Sequence, residues 1–179
     1  MRYIFLDKVK EKYLIFTIQD WRFAIPVSSI IEIIAYKKPE KIPNTWEYIE
    51  GVILYRQSIC PILNLSKKFG IRNNLDKKAH QFIIINNSYG ILGLQSDTVY
   101  EIKEPNNETI LTDWGTIKND CLKWFTGKLQ IGKKYICILD LDKLLENPEI
   151  ASLKEIEVSE ILDSVNKPES EGGTVNESL

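Results

Sequence analysis

The chain has 179 residues, of which 44% are apolar and 27% charged, and its formal net charge is −2. This suits one compact domain with a sizeable core and a polar tail. With a pI of about 5.6 it carries no global electrostatic attraction for nucleic acid or an anionic membrane.

The first elements are short and β-rich. Tyr13 to Ile18 (YLIFTI) is an apolar run, Gln19-Asp20 is a tight turn, and Trp21 to Pro26 (WRFAIP) returns, so a hairpin is expected. Pro26 ends the pairing. Residues 27–31 suit a single helical turn with serines near its start, and residues 32–36 a strand. Residues 39–43 (PEKIP) are loop, and residues 44–49 begin like a capped turn.

Residues 51–70 read GVILYRQSICPILNLSKKFG. In an extended chain Val52, Leu54 and Arg56 point one way, and Ile53 and Tyr55 the other. Gln57-Ser58 is the expected break, and the apolar run from Ile59 to Leu65 forms a second strand. A short basic turn or helix, residues 66–69, follows and stops at Gly70. Arg56 is out of place at the end of so apolar a strand. It must reach water, pair with a carboxylate or be covered by a partner.

Residues 71–79 (IRNNLDKKA) are polar and read as an exposed linker between two halves. Residues 81–86 form a buried strand, Asn87 to Gly90 a turn, and residues 91–94 the return. Residues 99–102 are another strand, and residues 113–120 are polar and exposed. Residues 122–129 and 134–139 form a last hairpin around Gly132-Lys133. A helix starts at Asp140 with its acids at the favoured end and stops at Pro148. Leu153, Ile156, Ile161, Leu162 and Val165 lie on one face of a second helix. Beyond Lys167 the tail is too polar to order itself. Many short strands with frequent turns and helices only at the edges argue an all-β barrel architecture.

Gly51, Val52-Ile53, Leu54-Tyr55, Arg56-Gln57 and the segment Cys60-Pro61-Ile62-Leu63-Asn64-Leu65 resemble the signature of the CheW-like domain, the scaffold of bacterial chemotaxis. The signature has Gly where this chain has Gln57, and Asp where it has Asn64. Either the turn after Arg56 avoids positive φ here, or Gln57 is strained; Asn64 caps a helix about as well as Asp. The resemblance begins at Tyr13. It runs without a gap through Asp20, Phe23-Ala24-Ile25, Ile30 and Glu32-Ile33 to Leu65, and returns at Asp97, Val99, Glu101 and Ile102.

The resemblance implies two packed five-stranded, SH3-like β-barrel subdomains with short edge helices. The domain would cover residues 1–150 and split near 71–79; the C-terminal helix expected over 151–166 and the disordered tail over 167–179 lie outside the match. It implies a non-enzymatic adaptor that couples methyl-accepting chemoreceptors to the chemotaxis histidine kinase. The partners would be the kinase's own CheW-like regulatory domain, receptor tips and other CheW-like domains in arrays at the inner face of the membrane. Ile30 and Gly51 match positions tied to kinase contact. Glu32, Ile33 and Arg56 match positions tied to receptor coupling or its supporting packing, and Val99 matches the groove between halves. From the residues alone, Gly51 equally suits a backbone requirement, Ile30 suits the core, and Glu32 and Arg56 suit a pair.

No catalytic set emerges, and no cofactor or metal is expected. His80 is the one histidine and opens an apolar strand. The chain lacks a phosphate-binding glycine loop, and its cysteines lack zinc spacing. Cys60, Cys121 and Cys137 are odd in number and far apart, which favours a reducing cytoplasm over a disulfide framework. Charges from Asp7 to Lys12 argue against a signal peptide, and no uncharged run approaches the ~20 residues of a membrane span. Asp140 and Asp142 suit a helix start better than a metal pair. Trp21, Trp46, Trp114 and Trp124 leave one alternative function, a nucleic-acid-binding barrel with a stacking platform; exposed tryptophans equally suit a protein partner.

Overall fold

The computed structural model describes residues 11–71, 81–105, 110–114 and 120–145. The strands are β1 (Tyr13–Ile18), β2 (Trp21–Pro26), β3 (Ile30–Ala35), β4 (Ile49–Tyr55), β5 (Ser58–Leu63), β6 (Gln81–Asn87), β7 (Gly90–Ser96), β8 (Thr98–Lys103), β9 (Ile110–Leu111), β10 (Phe125–Ile131) and β11 (Lys134–Leu139). One short helix, α1 (Leu65–Phe69), follows β5. The expected second helix and tail, and His80, lie outside the described residues.

The strands form a six-stranded sheet, ordered β8-β1-β2-β11-β10-β9, and a five-stranded sheet, ordered β3-β6-β7-β5-β4. The largest core lies between them. Leu14, Phe16, Ile18, Phe23 and Ile25 of the first meet Leu63, Ile83, Ile85, Leu92 and Leu94 of the second, with Leu65, Leu141, Leu144 and Leu145 completing it. Alternate residues of the same strands turn into the barrels themselves. Ile15 and Ala24 join Leu129, Ile136 and Ile138, while Phe82 and Ile84 join Ile53, Tyr55, Cys60 and Ile62. β1 and β6 are therefore buried on both faces, which explains their unbroken apolar runs. Each buried Leu or Ile contributes about 1.5–3 kcal/mol. This core therefore outweighs the solvent-exposed ion pairs, which are worth ~0–1 kcal/mol each.

The linker expected to separate the halves follows α1 and precedes β6, and the strands on either side, β5 and β6, belong to one sheet. The chain passes between sheets at the 3-10 turn Val27–Ser29 and at Asp97. Asp97 donates its N–H to the Thr17 carbonyl at 3.0 Å, and its carboxylate accepts from Gln19 N.

The two sheets share one plan. In each, an outer strand flanks a hairpin, and the hairpin is joined in parallel to a second hairpin: β3, β6–β7 and β5–β4 in one, β8, β1–β2 and β11–β10 in the other. β3 skips Ile31 between the pairs Ile30↔Ile85 and Glu32↔Ile84. β8 skips Tyr100 between Val99↔Phe16 and Glu101↔Ile15. β4 and β10 each skip one residue before a glycine, Gly51 opposite Ile62 and Gly127 opposite Ile138. A further segment then bridges each, Glu40 onto Val52 and Leu111 onto Lys128. The second bridge is long enough to be the extra strand β9. Glu32 thus corresponds to Glu101, Tyr55 to Ile131, and the turn Arg56-Gln57 to Gly132-Lys133.

Each hairpin unit runs into a short helical turn, but only the first is capped by a side chain. Asn64 accepts from Lys67 N at 3.0 Å to cap α1, which stops at Gly70 with φ 65°. Its counterpart Asp140 precedes a 3-10 turn, Leu141–Lys143, instead of the expected helix start, and its side chain makes no cap bond. Its carboxylate pairs with Lys143 at 3.0 Å.

Candidate functional site

β3 and β4 are the two outer strands of the five-stranded sheet, and side chains join them. Tyr55 ends β4 with its ring in the barrel core, at 6% exposure. Its hydroxyl donates to Glu32 Oε2 of β3 at 2.7 Å. Arg56 Nη2 donates to the same oxygen at 2.8 Å, and its guanidinium carbon lies 5.1 Å from the Tyr55 ring centre. The Tyr55 hydrogen bond, above all, holds the Glu32 carboxyl below its usual range, helped by the charges of Arg56 and Lys37 against partial desolvation. The same bond raises the Tyr55 phenol, because ionising it would place two anions in contact.

Arg56 does not end the strand. It forms the turn with Gln57, and Ser58 already belongs to β5, so the break falls one residue earlier than its expected place. Both turn residues have positive φ, 45° at Arg56 and 65° at Gln57. Gln57 therefore adopts the strained conformation of the two that its replacement of glycine allowed. A two-residue hairpin needs this backbone to match the strand twist. Of the three fates open to Arg56, the structure shows the pair with a carboxylate, at the solvent edge, with 66% of the side chain exposed.

The other predicted residues separate. Ile33 stands exposed on β3. Ile30 is half-buried at the start of the same strand and packs on the inter-sheet core. Gly51 lies inside β4 at φ 136°, and a Cβ there would fall on the Glu40 carbonyl. The backbone thus accounts for glycine at this position. Val99 belongs to the other sheet, on β8, half-buried against the inter-sheet core. Within the set, Glu32 and Arg56 are joined by a hydrogen-bonded ion pair.

Tyr55 is the residue that the sequence reading passed over. Its place on the same side of the strand as Ile53 was the available signal, since a tyrosine hydroxyl on a buried side needs a partner.

The remaining chemistry-bearing candidates are occupied or inert. Cys60 is buried, and burial pushes its thiol up to about 12, the wrong direction for a nucleophile. Asp142 accepts from Ser88 N at 2.9 Å and Ser88 Oγ at 2.8 Å. Among the described residues no acid, histidine and cysteine cluster has metal-binding form, and no helix is long and apolar enough to cross a membrane. Trp124 packs on Phe69 at 5.2 Å and Trp114 on Phe125 at 6.2 Å. Trp21 and Trp46 stand exposed on separate elements.

Residues 12–149 match the family model of the CheW-like domain. The chain belongs to the CheW-like domain family. The chemotaxis protein CheW of Klebsiella aerogenes is 26% identical over 150 residues, covering 84% of this chain and 90% of that protein. The CheW of Thermotoga maritima is 28% identical over 143 residues, covering 78% and 91%. The crystal structure of the scaffolding protein TtCheW from Thermoanaerobacter tengcongensis superposes with a TM-score of 0.71 at 25% identity, covering 83% of this chain and 96% of that one. The two packed β subdomains that the resemblance implied are thus the CheW-like fold, with a sixth strand, β9, added to one of the two expected five-stranded units. The CheW proteins that it matches are chemotaxis scaffolds and not enzymes, and this chain is of that kind.

Proposed function

We propose that this chain couples methyl-accepting chemoreceptors to the chemotaxis histidine kinase, holding the kinase's CheW-like regulatory domain against receptor tips. It works at the cytoplasmic face of the membrane, beside other CheW-like domains. The carrying observation is the CheW-like match over residues 12–149. The Glu32–Arg56 pair on an exposed barrel edge supports it. Ile30 and Gly51 serve the kinase contact in this reading, and Glu32, Ile33, Arg56 and Val99 serve receptor coupling. The domain spans residues 1–150, followed by a helix over 151–166 and a free tail.

Calorimetric titration against the regulatory domain of the same organism's kinase tests this directly. Saturable binding is expected, weakened by Ile30→Ala with the fold intact. Separately, Arg56→Ala should lower receptor-dependent kinase activity while the melting temperature stays close to that of the parent. Absence of binding at high micromolar concentration would overturn the kinase contact. Full coupling by the Arg56→Ala chain would remove Arg56 from the function.

A further inference from the structure

We propose that Tyr55 is the positioning residue of the coupling face, fixing through its hydroxyl where the Glu32 carboxylate and the Arg56 guanidinium stand. This rests on the coupling role proposed for that pair. Glu32 is 42% and Arg56 66% exposed at the side chain. Two charges so placed attract weakly and lose side-chain entropy on pairing, so alone they sample many geometries. Tyr55 differs because its ring is locked among Ile53, Cys60, Ile62, Phe82 and Ile84. Its hydroxyl occupies a fixed point in the barrel rim. The bond to Glu32 Oε2 at 2.7 Å transfers that fixity to the carboxylate, and the carboxylate passes it to Arg56 at 2.8 Å. The ring also lies under the guanidinium.

The other sheet supplies an internal control. Glu101 occupies the place of Glu32, but Ile131 stands where Tyr55 would be, and a glycine stands where Arg56 would be. Glu101 pairs instead with Lys103 of its own strand at 2.8 Å. The shared backbone plan therefore does not by itself tie the glutamate to the opposite strand. The tyrosine and the arginine do.

Tyr55→Phe keeps the ring and deletes the hydroxyl. The full chain, labelled with carbon-13, reports the Glu32 carboxyl titration, on which Tyr55, Arg56 and Lys37 act. The midpoint should rise in the variant, and receptor-dependent kinase activation should weaken between about threefold and tenfold. A Glu32 titration that superposes on the parent's would overturn the positioning role. So would a shifted titration with coupling unchanged, if Glu32→Gln and Arg56→Ala both reduce coupling. If all three variants couple normally while the titration shifts, the coupling role of the pair fails and Tyr55 still positions Glu32. Should Tyr55→Phe not fold, Glu32→Gln gives the reciprocal reading. The Tyr55 phenol, now held high, should titrate lower, and an unmoved phenol would overturn the proposal.

Discussion

Two hairpins at equivalent places, β4–β5 and β10–β11, each close on a two-residue turn, and the two turns are built differently. At the tip of β10–β11 the left-handed position falls to Gly132, φ 59°, with nothing within 4 Å of a notional side chain. At the tip of β4–β5 it falls to Arg56 and Gln57, both at positive φ. Non-glycine residues in this region cost roughly 1–2 kcal/mol each. The first turn is relaxed and its neighbour Glu101 bonds along its own strand. The second accepts strain and aims an arginine at Glu32.

The greatest loss of stability should fall one step down the hairpins, at the paired glycines. Gly51→Ala meets both a backbone carbonyl and a forbidden φ, so urea denaturation should show a loss of about 3 kcal/mol or more. Gly127→Ala meets the Leu111 carbonyl at 2.9 Å without the φ penalty. Its loss should be smaller, about 1–2 kcal/mol. Equal losses would mean that the halves are less alike than their register implies. A Gly51 variant that loses kinase binding must be read against this cost before a contact is inferred.

At the turns the signs should oppose. Gln57→Gly relieves strain and should raise stability by about 1 kcal/mol, whereas Gly132→Ala should lower it by a similar amount. A Gln57→Gly chain no more stable than its parent would show that the αL conformation at Gln57 is relaxed.

The smallest effect is in pH. The Glu32 carboxyl is lowered from an ordinary value of 4.5, chiefly by the Tyr55 hydrogen bond. A lowered carboxyl stabilises the fold fully above its unfolded value and loses that contribution as pH falls through the folded one. Asp142, held low by two bonds from Ser88, behaves likewise. Denaturation at neutral and acid pH should show a decline that Glu32→Gln reduces. An identical acid decline in that variant would leave Glu32 out of the linkage.

Most strands were legible because apolar runs and turn residues are local signals, although β3 starts at Ile30 and not at Glu32, and β10 at Phe125 after a 3-10 turn and not at Leu122. Tyr13 to Pro26 forms the expected hairpin, and Gly70 ends α1 where the sequence placed the stop. The candidate site was half legible. Glu32 and Arg56 were named from the family pattern and are found in contact, yet the residue that holds them was invisible as a contact because it arises between strands 23 residues apart. The Arg56 turn was misplaced by one residue, since alternation alone does not say where a strand ends.

The short strands and the family could be read from the chain alone, because both are written in neighbouring residues. Only the tertiary structure decided which strands share a sheet. β1 and β2 could not be assigned to the C-terminal strands from their own residues, because burial on both faces says that a strand has partners but not which. The same holds for Gly51. Its need for a missing side chain comes from the Glu40 carbonyl, brought against it by a loop that no local pattern places there.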